Sequence, residues 1–338
     1  MTQASIPAGV VVEPGTFTVE PRPPVTNVPN GWVVLDICAV GLCGTDYHIF
    51  EGKHPFLQYP RVIGHELSGR VAQDAEGWRA GDLVVVNPYL SCGTCRACRR
   101  GKPNCCVAIE VLGVHRDGGL TTQLAVPASN LIAADGLTPR QAAMVEFLAI
   151  GAHAVERSGI GPGDEVLVTG VGPIGIGTAL FARLKGADVA LLDLNAARLS
   201  MAAERFDFAK GYADIAGALS AIGGDGFDAV FDATGYKSAI EAGFPAIAHG
   251  GSYVLVSVVK EDITFSDPEF HKREMRLIGS RNALQSDFDR VMQAIKDGLI
   301  DTDALCSSEI SLDDLTQSFA ALSADRADLI KVIVQLQE

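Results

Sequence analysis

The tract running from Glu165 to Lys185 constrains this chain more than any other part of it. A strand-like run, Glu165–Thr169, leads into Gly170-Val171-Gly172-Pro173-Ile174-Gly175 and then into a helical pattern over Ile174–Lys185. Gly-x-Gly-x-x-Gly between a strand and a helix is the fingerprint of a dinucleotide-binding turn. Gly170 permits the tight turn, Gly172 lets the backbone approach a pyrophosphate, and Gly175 lets helix and strand pack closely. The helix N-terminus, with Ile174 in its first turn, offers unpaired N–H groups to phosphate. Pro173 suits that turn, where its missing N–H costs nothing. Further strands are expected at Asp188–Asp193, Ala229–Asp232, Tyr253–Ser257 and Met275–Gly279, with a helix at Ala196–Phe206. Such alternation predicts a parallel sheet with helices on both faces. Asp193 ends the second strand about 20 residues after the turn, where a carboxylate accepts hydrogen bonds from the adenosine ribose. It would repel a 2′-phosphate, so NAD is expected over NADP. Arg198 is the counter-signal, because an arginine after this strand can meet a phosphate.

The first 150 residues read differently. Short apolar runs at Trp32–Cys38, Arg70–Gln73, Leu83–Val86 and Leu120–Val126 are broken by Gly, Pro, Asn and Asp, which predicts an all-β unit with long loops. Asp287–Asp297 reads as a helix, and Ile330–Gln335 as a strand able to return to the first unit. A length of 338 residues suits two domains. A net charge of −14 argues against a nucleic-acid partner. No run approaches the ~20 apolar residues of a membrane span. Met1–Pro7 lacks a basic stretch leading into an apolar one, so a cytoplasmic protein is expected.

In a reducing compartment, clustered cysteines point to metal before disulfides. Five of the eight cysteines fall between Cys92 and Cys106. Cys92-x-x-Cys95-x-x-Cys98, completed by Cys105 or Cys106, supplies four thiolates, the donor set of a closed structural zinc site. Arg96, Arg99, Arg100 and Lys102 would offset the charge of a zinc–tetrathiolate. Cys38 and Cys306 lie in apolar stretches and read as small buried residues; His153 and His249 read as core or surface histidines.

A second constellation is mixed: Gly41-Leu42-Cys43-Gly44-Thr45-Asp46-Tyr47-His48, then Gly64-His65-Glu66, then Glu146-Phe147. One thiolate, one imidazole and one or two carboxylates are the donors of a catalytic zinc with an exchangeable position. With Gly69, Gly81-Asp82, the cysteine loop and the glycine turn in the same order, the chain from about residue 30 onward resembles the medium-chain, zinc-containing alcohol and polyol dehydrogenases. The resemblance implies α/β plus mainly β architecture: a GroES-like catalytic domain over 1–153, with 290–338 returning to it, and a Rossmann domain over 154–289. It selects Cys106 as the fourth structural ligand. It also implies a catalytic zinc on Cys43, His65 and an acid from Glu66 or Glu146, hence two zinc ions per chain. Phe147 departs from the proline that polyol members commonly carry there. Thr45 and His48 correspond to a proton relay, Asp46 to a structural acid. The family forms homodimers or homotetramers, with Met275–Gly279 the candidate edge.

Within that family the stretches at Asn104–Cys106, Gly113–Gly119, 265–272 and 279–283 resemble sugar-acid dehydrogenases of the L-galactonate and L-gulonate 5-dehydrogenase type. A carboxylate substrate wants a nearby cation, for which His115, Arg116 and Arg281, with Asn282 beside it, are candidates. Sorbitol- or xylitol-like polyols and L-threonine are the alternatives within the same chemistry. A zinc- and nucleotide-binding protein without turnover, and an NADPH-dependent quinone reductase, are the rivals outside it.

Overall fold

In the computed structural model, which describes residues 5–54 and 57–337, the chain divides into two compact units. Of the described residues, the first takes those up to Glu146, with 292–326 and those from Ile330 onward; the second comprises 147–291 with 327–329.

The first unit is built on the strand Trp32–Leu42, eleven residues long and buried along most of its length. It lies inside a seven-stranded sheet ordered Leu131–Ala133, Leu83–Val86, Glu66–Val71, Trp32–Leu42, Lys331–Gln335, Cys306–Ser311, with Gln123–Pro127 also paired to Trp32–Leu42. The register sets Gly41 opposite Glu66 on one side and Ile333 on the other. The C-terminal strand Lys331–Gln335 is therefore an interior strand, antiparallel to Trp32–Leu42 and parallel to Cys306–Ser311. A smaller sheet pairs Thr16–Arg22, Ile6–Glu13 and Arg61–Val62.

The unit is not all-β, as the broken apolar runs suggest, because short helices occupy its loops. Gly44–Phe50 follows directly on the longest strand. Its Phe50 and Tyr47 rings pack on Phe319 of the helix Leu312–Ala324, at centroid separations of 5.0 and 5.6 Å. The strand expected at Arg70–Gln73 begins earlier, at Glu66, and ends at Val71. The reason is that Leu67 and Ser68 are buried and hydrogen-bonded in the ladder, whereas Gln73 lies beyond it.

The second unit carries a six-stranded sheet, parallel throughout, ordered Gly211–Tyr212, Asp188–Leu192, Glu165–Thr169, Phe227–Asp232, Ile247–Leu255, Arg276–Gly279. Successive strands move outward one way from Glu165–Thr169 and then restart on its other side at Phe227–Asp232. That reversal is the topological switch point, outside whose carboxyl ends ligands bind in open α/β sheets. Phe227, Phe231 and Tyr253 are fully buried in its core. Arg276–Gly279 is an edge strand.

The units part at Glu146/Phe147, inside the helix Val145–Ser158, several residues before the boundary at 153 that the family resemblance implies. Beyond Phe147 that helix packs on the second unit: a side chain at Gly151 would strike the backbone of Thr178, 2.5 Å away. His153 there meets Asp287 at 2.8 Å, a buried pair. Because Ile333 is fully buried in an interior strand, Ile333→Ala should cost about 2–5 kcal/mol, read as a lowered midpoint in urea denaturation.

Candidate metal centre and dinucleotide turn

Cys43 leaves the end of Trp32–Leu42 in an extended conformation and caps the helix Gly44–Phe50. Asp46, in the first turn, accepts the backbone N–H of Cys43 at 2.9 Å through Oδ2 and that of Gly64 at 3.2 Å through Oδ1. One carboxylate thus ties the cysteine loop to the histidine loop. Gly64 holds φ at +93°, and a Cβ there would sit 2.9 Å from a methyl of Val40; only glycine turns the chain so tightly before His65. Glu66 opens the next strand opposite Gly41, where any side chain would collide with its carboxylate. The donor atoms of Cys43, His65 and Glu66 consequently lie within 4.8 Å of one another.

This cluster is rich in negative charge and poor in water. Glu66 is 0% and Lys331 1% exposed, and the ammonium lies 2.6 and 2.5 Å from the two carboxylate oxygens. The same Nζ donates to the Leu42 carbonyl at 3.1 Å. Glu146 is also buried and accepts a hydrogen bond from the Tyr89 hydroxyl; it is not a member of the three-donor set. Burial pushes Glu146 up to about 7, with the Glu66 charge adding to that and His65, Tyr89 and Lys331 opposing it. Burial likewise raises Asp46. For His65, burial disfavours the imidazolium, yet Asp46, Cys43 and Glu146 together outweigh it and raise its pKa well above the usual value. Its Nδ1 is buried with no hydrogen-bond partner among the described residues. One sulfur, one imidazole and one carboxylate converge here, a donor set that fits a zinc ion.

The cysteine loop fits a second one. The sulfurs of Cys92, Cys95, Cys98 and Cys106 lie within 4.8 Å of one another. The Cys95–Cys98 and Cys106–Cys92 separations are both 3.5 Å. A disulfide would bring sulfurs to about 2.05 Å, whereas four ligands at 2.3 Å around tetrahedral zinc stand about 3.8 Å apart. Backbone N–H groups of Cys92, Cys95, Cys98 and Ala108 point at these sulfurs. The N–H and hydroxyl of Thr94, with the N–H of Cys95, pull Cys92 down to about 6. Desolvation and the neighbouring cysteines push Cys98 up to about 11. Cys106 is buried and in the set; Cys105 is exposed and outside it.

In the second unit, Gly170 turns the chain at φ +89°, with a would-be Cβ 2.9 Å from the Ala233 carbonyl carbon. At Gly175 a side chain would collide with the Gly170 carbonyl. Nothing lies within 4 Å of a Cβ built on Gly172, which caps the helix Pro173–Leu184. Close packing at the outer glycines and open space at the middle one is what pyrophosphate approach requires. Asp193 follows Asp188–Leu192; its Oδ2 accepts from Val171 N at 2.8 Å and its Oδ1 from Asn195 N at 2.8 Å. Arg198 lies 3.7 Å from the same carboxylate and donates to the Ala327 carbonyl at 3.3 Å.

The alcohol dehydrogenase GroES-like domain family matches residues 29–136, and the zinc-binding dehydrogenase family matches residues 173–297. The L-galactonate-5-dehydrogenase of Escherichia coli K12 is 40% identical over 308 residues, covering 89% of this chain and 91% of that one. This chain belongs to the zinc-type alcohol dehydrogenases. Among solved structures, an alcohol dehydrogenase of Escherichia coli CFT073 complexed with NADH is 26% identical with a TM-score of 0.91, covering 98% of this chain and 100% of its own. A zinc-binding dehydrogenase of Sinorhizobium meliloti 1021 bound to NADP is 27% identical with a TM-score of 0.88, covering 98% and 100%.

The other expected residues of the dehydrogenase are distributed as follows. Thr45 and His48 lie on the helix begun by Cys43, and His48 is exposed. Partial desolvation, reinforced by Arg326, lowers the His48 pKa, and Glu51 opposes this. His115 accepts the Val111 N–H at 3.1 Å through Nδ1. Arg116 is engaged elsewhere, on Glu110 at 3.3 Å and over the Trp32 ring at 5.0 Å. Arg281 is exposed, and Asn282 adopts a left-handed φ of 52°. Sequence reasoning overlooked Lys331 and Tyr89. The signal for Lys331 was a lysine set against the apolar run Val332-Ile333-Val334; Tyr89 carried none. Lys331→Met strands the Glu66 charge and should cost about 3–5 kcal/mol. Lys331→Met with Glu66→Leu should recover most of that loss in urea denaturation.

Proposed function

We propose that this dehydrogenase interconverts a secondary alcohol of a sugar acid, of the L-galactonate or L-gulonate kind, with its ketone, using NAD. The observation that carries the reading is the likeness to the L-galactonate-5-dehydrogenase across 89% of the chain, in a protein whose Cys43, His65 and Glu66 donors converge. When bound at those residues, zinc supplies a Lewis acid that makes a hydroxyl proton easier to lose. The Thr45 hydroxyl and the His48 imidazole serve as members of the relay that carries that proton to solvent, which His48 reaches from the exposed face of its helix. Asp193 holds the adenosine ribose through the 2′- and 3′-hydroxyls and excludes a 2′-phosphate by charge. Arg198, already engaged with Asp193 and Ala327, is not free to favour one. Cys92, Cys95, Cys98 and Cys106 hold a second, structural zinc. The edge strand Arg276–Gly279 supports self-association into a homodimer or homotetramer. No helix among the described residues is long and apolar enough to cross a membrane, consistent with a cytoplasmic enzyme.

NADH formation with a panel of aldonates, polyols and L-threonine tests the substrate class: aldonates should give the highest kcat/KM. A higher value for a polyol or for threonine would overturn the sugar-acid assignment. Metal analysis should return two zinc ions per chain; Cys106→Ser and Cys43→Ser should each lose one, and Cys105→Ser none. Because His48 titrates below its usual 6.5, it is neutral and able to accept a proton at pH 7. The rate should therefore hold through neutrality and fall only below about pH 6.5, and His48→Gln should remove that acid limb.

A further inference from the structure

Two buried carboxylates stand at the metal centre, and each is held by a different kind of partner. Glu66 carries an ammonium on both oxygens, at 2.6 and 2.5 Å from Lys331. Glu146 carries the hydroxyl of Tyr89. The phenol is not a casual neighbour. Tyr89 lies in the short strand Tyr89–Leu90, paired to Glu110–Val111. Two asparagine side chains grip its backbone: Asn87 Oδ1 accepts the Tyr89 N–H at 3.1 Å, and Asn130 Nδ2 donates to the Tyr89 carbonyl at 3.2 Å. Asn130 also donates to the Asn87 carbonyl at 2.8 Å. Tyr89 and Asn130 are 8% exposed. A buried tyrosine whose main chain is fixed this way presents its hydroxyl from a set place, and the hydroxyl ends on Glu146 while the donors of Cys43, His65 and Glu66 close on one another without it.

We propose that Tyr89 is a positioning residue of the metal centre: its hydroxyl holds the Glu146 carboxylate in reserve beside the Cys43–His65–Glu66 donors, leaving a coordination position open to substrate. This deepens, and rests on, the reading of those three residues as the catalytic metal set. Outer partners of metal ligands set which oxygen points at the ion, and their loss changes metal affinity or activity by 10–100-fold. Here the expected direction is specific. Without the hydroxyl, a buried carboxylate loses its hydrogen bond and finds compensation in the ion itself, so the metal is held more tightly and the open position is lost.

The test uses the full-length zinc protein, with cobalt(II) exchanged into the catalytic site as a coordination probe and dipicolinate as the chelator. Tyr89→Phe should slow removal of the catalytic metal by about tenfold and weaken the visible cobalt bands as coordination number rises. It should also lower kcat more than it changes KM. Tyr89→Phe combined with Glu146→Gln should return both metal readouts to those of Glu146→Gln alone, an effect a merely structural tyrosine would not show. Glu146→Gln keeps an oxygen for the Tyr89 hydroxyl to reach, and should retain the catalytic metal. It serves as the independent variant if Tyr89→Phe does not fold. The inference is overturned if Tyr89→Phe leaves the cobalt bands and metal release unchanged, if its effects persist in the Glu146→Gln background, or if Glu146→Gln itself sheds the catalytic metal. The first two of those outcomes leave the metal-centre reading standing; the third adds Glu146 to its donors. That reading falls separately, and this inference with it, if Cys43→Ser releases no metal.

Discussion

Carboxylates removed from water are costly unless opposite charge accompanies them into the interior, and the first unit is organised around that demand. Glu66 sits fully buried across from Gly41, and the ammonium that answers it comes from Lys331, at the start of the last strand. The ammonium reaches its place because Lys331–Gln335 inserts beside Trp32–Leu42 instead of lying at an edge. Cys43 continues from that same long strand, and His65 immediately precedes Glu66. The pairing that seats the lysine therefore also aligns the donors. The Cys43 sulfur, the His65 imidazole and the Glu66 carboxylate are thereby brought within 4.8 Å of one another, a donor set that fits a divalent ion.

The two sulfur-bearing sites differ in kind for a related reason. Around the Cys92–Cys106 loop the donors are four sulfurs served by backbone N–H groups, in a segment with few buried apolar side chains of its own. A closed zinc–tetrathiolate would provide such a loop with the cohesion that packing does not. At the Cys43 centre the donors are of mixed character, and the scaffold that carries them is a buried sheet. In the second unit the dinucleotide turn relies on close packing: Gly170 against Ala233 and Gly175 against Gly170 leave no room for side chains, while Gly172 faces open space.

Much of this was legible from residue order, and the parts that were not share a cause. The strand expected at Glu165–Thr169 and the helix expected at Ala196–Phe206 are found with those bounds. Hydrophobic periodicity is strong there, and glycine or asparagine marks the ends. The cysteine loop was legible apart from the choice between Cys105 and Cys106, which burial resolves, since one thiol is exposed and the other inside. The first unit was read as strands alone because helices of four to seven residues, such as Arg96–Arg99 and Gly44–Phe50, are too short to print a 3.6-residue period. Asp46 was expected as a structural acid, and it bonds the loop that carries Cys43 to the loop that carries His65.

Residue order by itself determined the two textures, the glycine turn with its carboxylate and the thiolate set, because each depends on side-chain chemistry at short spacing. Cys43, His65 and an acid from Glu66 or Glu146 lie far apart along the chain, and only the family resemblance joined them. Only the tertiary structure decided that Lys331 answers Glu66 and that Tyr89 answers Glu146. Those partners are separated by 265 and 57 positions along the chain, and local propensity carries no record of such a distance. Strand register brings Lys331 and Glu66 together, through the long-range pairing of Gly41 with both Glu66 and Ile333; Tyr89, on a strand, meets Glu146, on a helix.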